Sequence, residues 1–140
     1  MHSALLLVLI TVLITPVQAK SVDKPIIDLT IDSCLQTNQS TAGMLECFTR
    51  AEQAWDEELN RVYKALQGRL KPNAQAALKQ AQRTWMQQRD QEFALINAIH
   101  EQLDGTLWIP VMASKRADVV KQRALALQSY LSLLEEGSSL

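Results

Sequence analysis

Histidine and net charge are both scarce in this sequence. Its 140 residues include two histidines and carry a formal net charge of −1, from 14 basic and 15 acidic side chains. So balanced a charge offers no positive field to hold nucleic acid, which argues against a nucleic-acid partner. Many nucleophilic and metal-dependent enzymes use histidine, and His100 has no activated nucleophile near it in sequence. We therefore rank enzymes as the weakest class of function and expect no catalytic residue and no cofactor.

His100 could still contribute to a metal site. His100 and Asp104 are four residues apart, so they share one helix face, and Glu101 lies beside them. One histidine and two carboxylates on a single helix make a weak ligand set, and an ordinary polar helix end is the favoured interpretation. We expect no metal.

Glycine, proline and aromatic residues are scarce as well. The chain has four glycines, four prolines and 5% aromatic residues, whereas alanine, leucine, glutamine, glutamate and lysine are abundant. This composition favours helices over sheets. The sequence as a whole predicts an all-α protein, an antiparallel bundle of about three helices, two of them long, with an extended N-terminal arm and one disulfide.

The longest apolar run lies at the start of the chain. Residues 1–19 contain the run LLLVLITVLI and end with Val17 and Ala19, which suit the small-residue rule for cleavage. The run is short for a bilayer span, which takes about 20 residues, so it predicts a signal peptide cleaved before Lys20. An uncleaved anchor is the alternative, because no lysine or arginine precedes the run. Residues 20–140 should form a single domain, without stable membrane insertion after cleavage.

The segment that follows is the least helical in pattern. Residues 20–33, KSVDKPIIDLTIDS, are interrupted by Pro25 and then alternate apolar with polar side chains. A strand here would have no partner, because no second alternating run exists in the sequence. The pattern therefore predicts an extended arm that lies over the helices.

Apolar side chains spaced by three and four residues predict three helices, at 41–70, 73–104 and 114–135. Ser40 or Thr41 can cap the first helix and Pro72 ends it, while Asn73 and Ser114 are candidate caps of the other two. The tight turn between the two long helices makes them antiparallel. The predicted buried positions, helix by helix, are Met44, Phe48, Ala51, Trp55, Leu59, Val62, Leu66 and Leu70, then Leu78, Ala81, Trp85, Ile96, Ile99 and Leu103, then Val119, Leu127, Tyr130 and Leu134.

Cys34 and Cys47 are the two cysteines of the sequence. An exported chain with two cysteines most simply forms one bridge, and over a loop this short the bridge stabilises the fold by roughly 3 kcal/mol. A redox-active or metal-binding pair is the alternative, but the spacing is neither C-x-x-C nor that of a zinc knuckle. The sequence predicts a structural disulfide that fastens the arm to the first long helix.

Two charged patches are candidate partner-binding sites. The first is the acidic shoulder, residues 52–58 with sequence EQAWDEE, in which Asp56, Glu57 and Glu58 would attract a basic partner. A solvated helix face, steadied by an i,i+4 pair of Glu57 with Arg61, is the alternative interpretation.

The second patch is formed by Arg83, Trp85, Arg89 and Asp90. In the alternative interpretation, these residues make contacts within the protein rather than with a partner. Trp85 would pack in the core, Arg89 would stack along the edge of its ring, and the charges would pair with the first long helix.

Several motifs together resemble a known family. Behind a signal peptide come a cysteine, an M-x-x-C motif, AEQAWDEELNRVY and then AQRTWMQQRDQE. This order is similar to that of the LprI-like family of small secreted bacterial proteins, over the range from Cys34 to about Leu131. The resemblance implies a helical periplasmic or cell-envelope domain without enzymatic activity, and the namesake of the family inhibits lysozyme.

The resemblance transfers to individual positions. Leu59, Asn60 and Tyr63 match the first signature, and Cys34 with Cys47 matches the first disulfide of the family. The chain departs from the family at Phe93, where relatives carry a third cysteine, and no fourth cysteine follows. Packing of Phe93 is predicted to replace the second disulfide. The second signature is matched by Gln82, Arg83, Trp85, Arg89 and Asp90.

Three functions are consistent with these observations. The leading one is a periplasmic inhibitor whose protein partner is lysozyme or another cell-wall hydrolase. The second is an immunity or accessory protein for a secreted toxin or an envelope system, which an adjacent toxin gene would reveal. The third is a structural helix bundle that associates with itself through its long helices.

Overall fold

The computed structural model describes residues 24–138, which form four helices. They are α1 (Ile26–Thr37), α2 (Thr41–Arg69), α3 (Pro72–His100) and α4 (Trp108–Gly137). The all-helical prediction is confirmed for this part of the chain, which contains no strand. The predicted number of about three helices is wrong by one. The predicted signal peptide at 1–19 lies outside the described residues.

Helix α1 replaces most of the predicted extended arm, so that prediction is wrong for residues 26–33. Pro25 stands at the N-terminal boundary of α1, where its missing N–H and its fixed φ suit a helix start. The apolar residues Ile27, Ile31 and Leu35 are four residues apart and therefore lie on one helix face. Leu29, which suggested alternation, points outward and is exposed. A short apolar segment fits both the strand period of two and the helix period of about 3.6 residues. Packing against α2 stabilises the helix.

Helix α2 supplies half of the core. Ser40 caps it as predicted, because the Ser40 hydroxyl accepts a hydrogen bond of 3.0 Å from the backbone N–H of Gly43. Leu70 adopts an extended backbone and Pro72 follows, so the helix cannot continue. Six side chains spaced by three and four residues are buried along one face, namely Cys47, Ala51, Trp55, Leu59, Val62 and Leu66.

Helix α4 supplies the other half of the core, and it begins six residues before the predicted start at 114. Pro110 is tolerated because it lies in the first turn, where the backbone N–H has no partner within the helix. Ser114 is therefore not a cap, and its hydroxyl donates to the carbonyl of Val111. The predicted buried face is right at Leu127, which is buried, and wrong at Tyr130, which is 55% exposed. The buried face consists of Pro110, Ala117, Val120, Ala124, Leu127 and Leu131.

Helices α2 and α4 lie side by side and run parallel. Glu52 pairs with Arg116 near their N-terminal ends, and Arg69 pairs with Glu135, at 3.7 Å, near their C-terminal ends. Helix α3 returns antiparallel and packs mainly on α4, whereas its backbone hardly approaches that of α2. The predicted hairpin of two long helices is therefore antiparallel but open, and a groove runs between its arms.

Helix α3 is attached by a stripe that is only half apolar. Leu78 and Ile96 are its two buried residues, and the predicted positions Ala81 and Ile99 are exposed. The observed stripe recurs every three or four residues and consists of Leu78, Gln82, Trp85, Arg89, Phe93, Ile96 and His100. Because long polar side chains occupy apolar positions, α3 stands away from the core more than α2 and α4 do.

Helix α1 crosses the outside of the α2–α4 pair and is fixed at both ends. The predicted disulfide is confirmed, and it joins Cys34 to Cys47 with a Cα–Cα distance of 5.8 Å. Near the other end, Lys121 donates to the carboxylate of Asp28 at 2.6 Å, and both side chains are mostly shielded from water. Among residues 24–138, no helix combines the length and the apolar character that a membrane span requires.

Candidate functional site

The open hairpin leaves a groove of about 610 Å³ between α2 and α3, with α4 as its floor. We call it the polar groove. Its α2 wall includes Thr49, Glu52, Gln53 and Asp56, and its α3 wall includes Arg89, Phe93, Asn97 and His100. Ile109, Met112 and Arg116 are part of its α4 floor. Hydrogen-bonding side chains and apolar ones line it in comparable numbers, so the groove offers a partner both polar and apolar contacts.

A bidentate ion pair crosses the floor of the polar groove. The Nε and terminal nitrogen of Arg116 each donate to a carboxylate oxygen of Glu52 at 3.1 Å. The guanidinium carbon of Arg116 also lies 3.8 Å from the centroid of the Phe93 ring. Arg116 therefore contacts both walls at once, and its planar geometry allows it to pair with a carboxylate while stacking on an aromatic ring.

Arginines of both α3 and α4 stack on two aromatic rings of α3, those of Trp85 and Phe93. Arg89 lies over Trp85 at 5.6 Å and over Phe93 at 5.8 Å, measured from its guanidinium carbon to each ring centroid. Arg123 of α4 lies 5.8 Å from the Trp85 ring on the same measure. Cation–π contacts of this kind contribute about 0.5–2 kcal/mol each, according to how far they are desolvated. The contacts of Arg116 and Arg123 join α4 to α3 and hold α3 in place where apolar burial is lacking, whereas those of Arg89 lie within α3.

The acidic shoulder is divided among three faces of α2. Asp56 lines the polar groove beside Glu52, and its carboxylate and carbonyl accept hydrogen bonds from Asn60. Glu57 is exposed and accepts a hydrogen bond of 3.1 Å from Gln53. Among the described residues, neither Asp56 nor Glu57 forms an ion pair.

Glu58 differs from its neighbours because it is neutralised. It forms two hydrogen bonds of 2.7 Å with Arg61. The hydrogen bond from Arg61 lowers the pKa of Glu58, against the opposing effect of partial burial. Glu58 faces α1 rather than the polar groove. The i,i+4 pair predicted between Glu57 and Arg61 is thus absent, and Arg61 pairs with Glu58, three positions before it, instead.

The second predicted patch is divided as well. Trp85 and Arg89 are half-buried against α4, and Arg89 pairs with Asp90 at 2.7 Å rather than with α2. Arg83 and Asp90 are exposed. The internal interpretation is right about the stacking of Arg89 on Trp85 and wrong about the partner of the charges. Of the predicted site residues, the structure brings Asp56 and Arg89 together in the polar groove.

The sequence placed Glu52 in the acidic shoulder but did not reveal its pairing with Arg116, nor the contribution of Arg116 and Asn97 to the polar groove. Glu52 and Arg116 are 64 residues apart, so no local pattern connects them. Within residues 24–138, the His, Cys, Asp and Glu side chains form no group of three that could hold a metal ion.

Comparisons with known proteins agree with this architecture. The sequence model of the family described as lysozyme inhibitor LprI matches residues 32–127, which is more than half of the chain. The crystal structure of an uncharacterized protein from Burkholderia thailandensis is similar, with 29% sequence identity and a TM-score of 0.75. That similarity covers 81% of this chain and 57% of the Burkholderia protein. No curated protein sequence matches the chain.

Proposed function

We propose, from the premise that this chain belongs to the lysozyme inhibitor LprI family, that it is an exported protein that binds and inhibits a lysozyme or a related cell-wall hydrolase. Family membership over residues 32–127 is the observation on which the proposal rests. The action is stoichiometric binding rather than catalysis. The protein partner is expected to be basic and to dock at the polar groove.

Two features support export to an oxidising compartment such as the periplasm. The sequence of residues 1–19 has the pattern of a signal peptide. The Cys34–Cys47 disulfide closes a short loop on a small domain, and such disulfides persist mainly outside the cytosol. A hydrolase that cleaves the cell wall would act in the same compartment as this protein.

The charge distribution supports the α2 rim of the polar groove as the docking surface. Glu52 and Glu58 are neutralised by Arg116 and Arg61, so they contribute little field. Asp56 and Glu57 have no such partner in the described structure. Asp56 therefore leaves a negative charge in the lining of the groove, and Glu57 leaves a second one beside Gln53, which also lines it. These charges would steer a basic enzyme toward the groove, and the effect would fade as salt screens it.

We expect the double variant Asp56→Asn, Glu57→Gln to associate with its target lysozyme several-fold more slowly at low salt. The difference should disappear as ionic strength rises from about 0.01 M to about 1 M, because the Debye length falls from ~30 Å to ~3 Å. Association rates would be measured by stopped-flow or surface plasmon resonance. Inhibition would be measured by the turbidity of bacterial walls with a panel of lysozymes.

The matched control is the double variant Asp118→Asn, Glu136→Gln. It changes the net charge by the same amount, at exposed positions that do not line the polar groove. It should associate as fast as the unmodified protein. Equal slowing by both variants would mean that overall charge acts, and no slowing by the first would remove the α2 rim from the docking surface. Failure to inhibit any lysozyme would overturn the proposed partner.

A further inference from the structure

A second groove, of about 460 Å³, lies at the opposite end of the bundle. We call it the apolar groove. It runs between the N-terminal half of α3 and the C-terminal half of α4, and Leu66 and Leu70 of α2 form its floor. It shares no residue with the polar groove, so its role is independent of lysozyme binding.

The sequence of α3 keeps this groove open. Ala74, Ala77 and Ala81 are spaced by three and four residues and form the α3 wall, where their methyl groups are too short to reach α4. On the α4 wall, Tyr130 and Leu133 are 55% and 65% exposed. Large apolar side chains therefore face small ones across empty space, and their burial would be favourable once the space is filled.

One charged side chain lines the apolar groove, and it belongs to Arg123. It lies at the end nearest the middle of the bundle, next to the Trp85 ring. Its Nε–H donates to the side-chain oxygen of Gln82 at 3.0 Å, but its NH2 nitrogen is buried and has no hydrogen-bond partner among the described residues. Burial lowers the pKa of Arg123, and the nearby phenol of Tyr130 opposes that shift. A buried donor without a partner costs free energy. Because the NH2 nitrogen is closed to solvent, the guanidinium has to turn toward the groove before a ligand acceptor can recover that cost.

We propose that the apolar groove binds the chain of a long-chain carboxylate, a free fatty acid, whose carboxylate pairs with Arg123. The groove volume lies within the range of about 300–1,000 Å³ that is typical of small-molecule sites. A fatty acid combines an apolar chain with one anionic end, which matches an apolar groove that contains one cation. A phosphomonoester head would bring close to a second negative charge, which a single guanidinium does not balance. A protein segment would bring backbone polar groups that these apolar walls cannot satisfy.

The experiment measures binding by titration calorimetry on the chain without its leader, residues 20–140, below the micelle concentration of each probe. Laurate should bind at one site, and dodecyl maltoside, which has a neutral head, should bind at least about tenfold more weakly. Lauroyl lysophosphatidylglycerol carries one negative charge, as laurate does, and should bind more weakly because its larger head has to fit beside the Trp85 ring and Gln82.

Two variants distinguish the contribution of the ligand's acyl chain to binding from that of its head group. Arg123→Met should reduce laurate affinity about 10- to 100-fold and leave dodecyl maltoside affinity unchanged, because it removes the cation and keeps the apolar bulk. Ala77→Phe should weaken both probes, because it fills the groove at a distance from the cation. Arg83→Met is the matched control, since Arg83 is an exposed arginine on α3 outside the groove, and it should bind laurate normally.

Three results would overturn the proposal. They are the absence of saturable laurate binding, equal affinity for laurate and dodecyl maltoside, and an Arg123→Met variant that binds laurate as the unmodified protein does. Tighter binding of the lysophospholipid than of laurate would reject the carboxylate assignment. Circular dichroism and the melting temperature of Arg123→Met test whether the variant folds, and a modest loss of stability is expected because the Gln82 hydrogen bond and the Trp85 contact are removed.

Discussion

Replacing Trp55 with alanine is expected to lower the free energy of unfolding by about 3–5 kcal/mol. Trp55 is 3% exposed and belongs to the buried cluster that joins α2 to α4. The rigid α2–α4 interface cannot close around the cavity that the lost ring would leave. Because a small domain has only about 5–15 kcal/mol of net stability, the variant should unfold at a much lower urea concentration. Urea titration followed by far-ultraviolet circular dichroism measures the loss.

Trp85→Ala is the matched comparison for Trp55→Ala. The Trp85 ring is half-buried and stacks on arginines rather than lying within the core. It should cost about 1–2 kcal/mol, because less apolar area is lost and two cation–π contacts are removed. Equal losses at the two positions would contradict the assignment of α2 and α4 as the core pair and of α3 as its loosely attached neighbour.

Removing the disulfide should have the next largest effect. The double variant Cys34→Ser, Cys47→Ala is expected to lose about 3 kcal/mol of stability, because the loop closed by Cys34 and Cys47 is no longer restricted in the unfolded chain. Alanine replaces Cys47 because that position is fully buried, where a hydroxyl would lack a partner. Thermal melting of the variant, and of the reduced unmodified protein, measures the change. The helix content at low temperature should fall by no more than the twelve residues of α1.

Asp28→Asn is the control for the role of α1. It weakens the ion pair with Lys121 and leaves the disulfide intact, so its cost should be smaller than that of the double cysteine variant. A melting temperature unaffected by reduction would show that the disulfide does not stabilise the fold. A larger loss in Asp28→Asn than in the cysteine variant would mean that α1 is held mainly by its charge.

The sequence predicted the fold well where burial is one-sided. The stripe of α2 from Ala51 to Leu66 is strictly periodic, and each of its predicted residues between those positions is buried. The α4 prediction is right at Leu127 and wrong at Tyr130, which is exposed while its neighbour Leu131 is buried, because α4 carries alanine and leucine on several faces. Apolar periodicity indicates which face is buried only when the opposite face is polar.

The candidate site was predicted only in part, for a physical reason. Asp56 and Arg89 were recognised as charged helix residues, but whether a charge is free depends on neighbours from other helices. Glu52 is neutralised by Arg116, which no pattern in either helix indicates. Arg61 pairs with Glu58 rather than Glu57 because of side-chain geometry, which the spacing in the sequence does not determine. Local sequence thus predicted the helices and left open which carboxylates remain available to a partner.

The parallel pairing of α2 with α4 has a consequence for the order of folding. These two helices form the core, yet all of α3 lies between them in the sequence. The contacts that stabilise the core therefore require closure of a long loop before they form, which slows folding compared with a hairpin of adjacent helices. During synthesis, the apolar stripe of α2 stays without its partner until α4 has been made. The α2–α4 core therefore forms only late in synthesis.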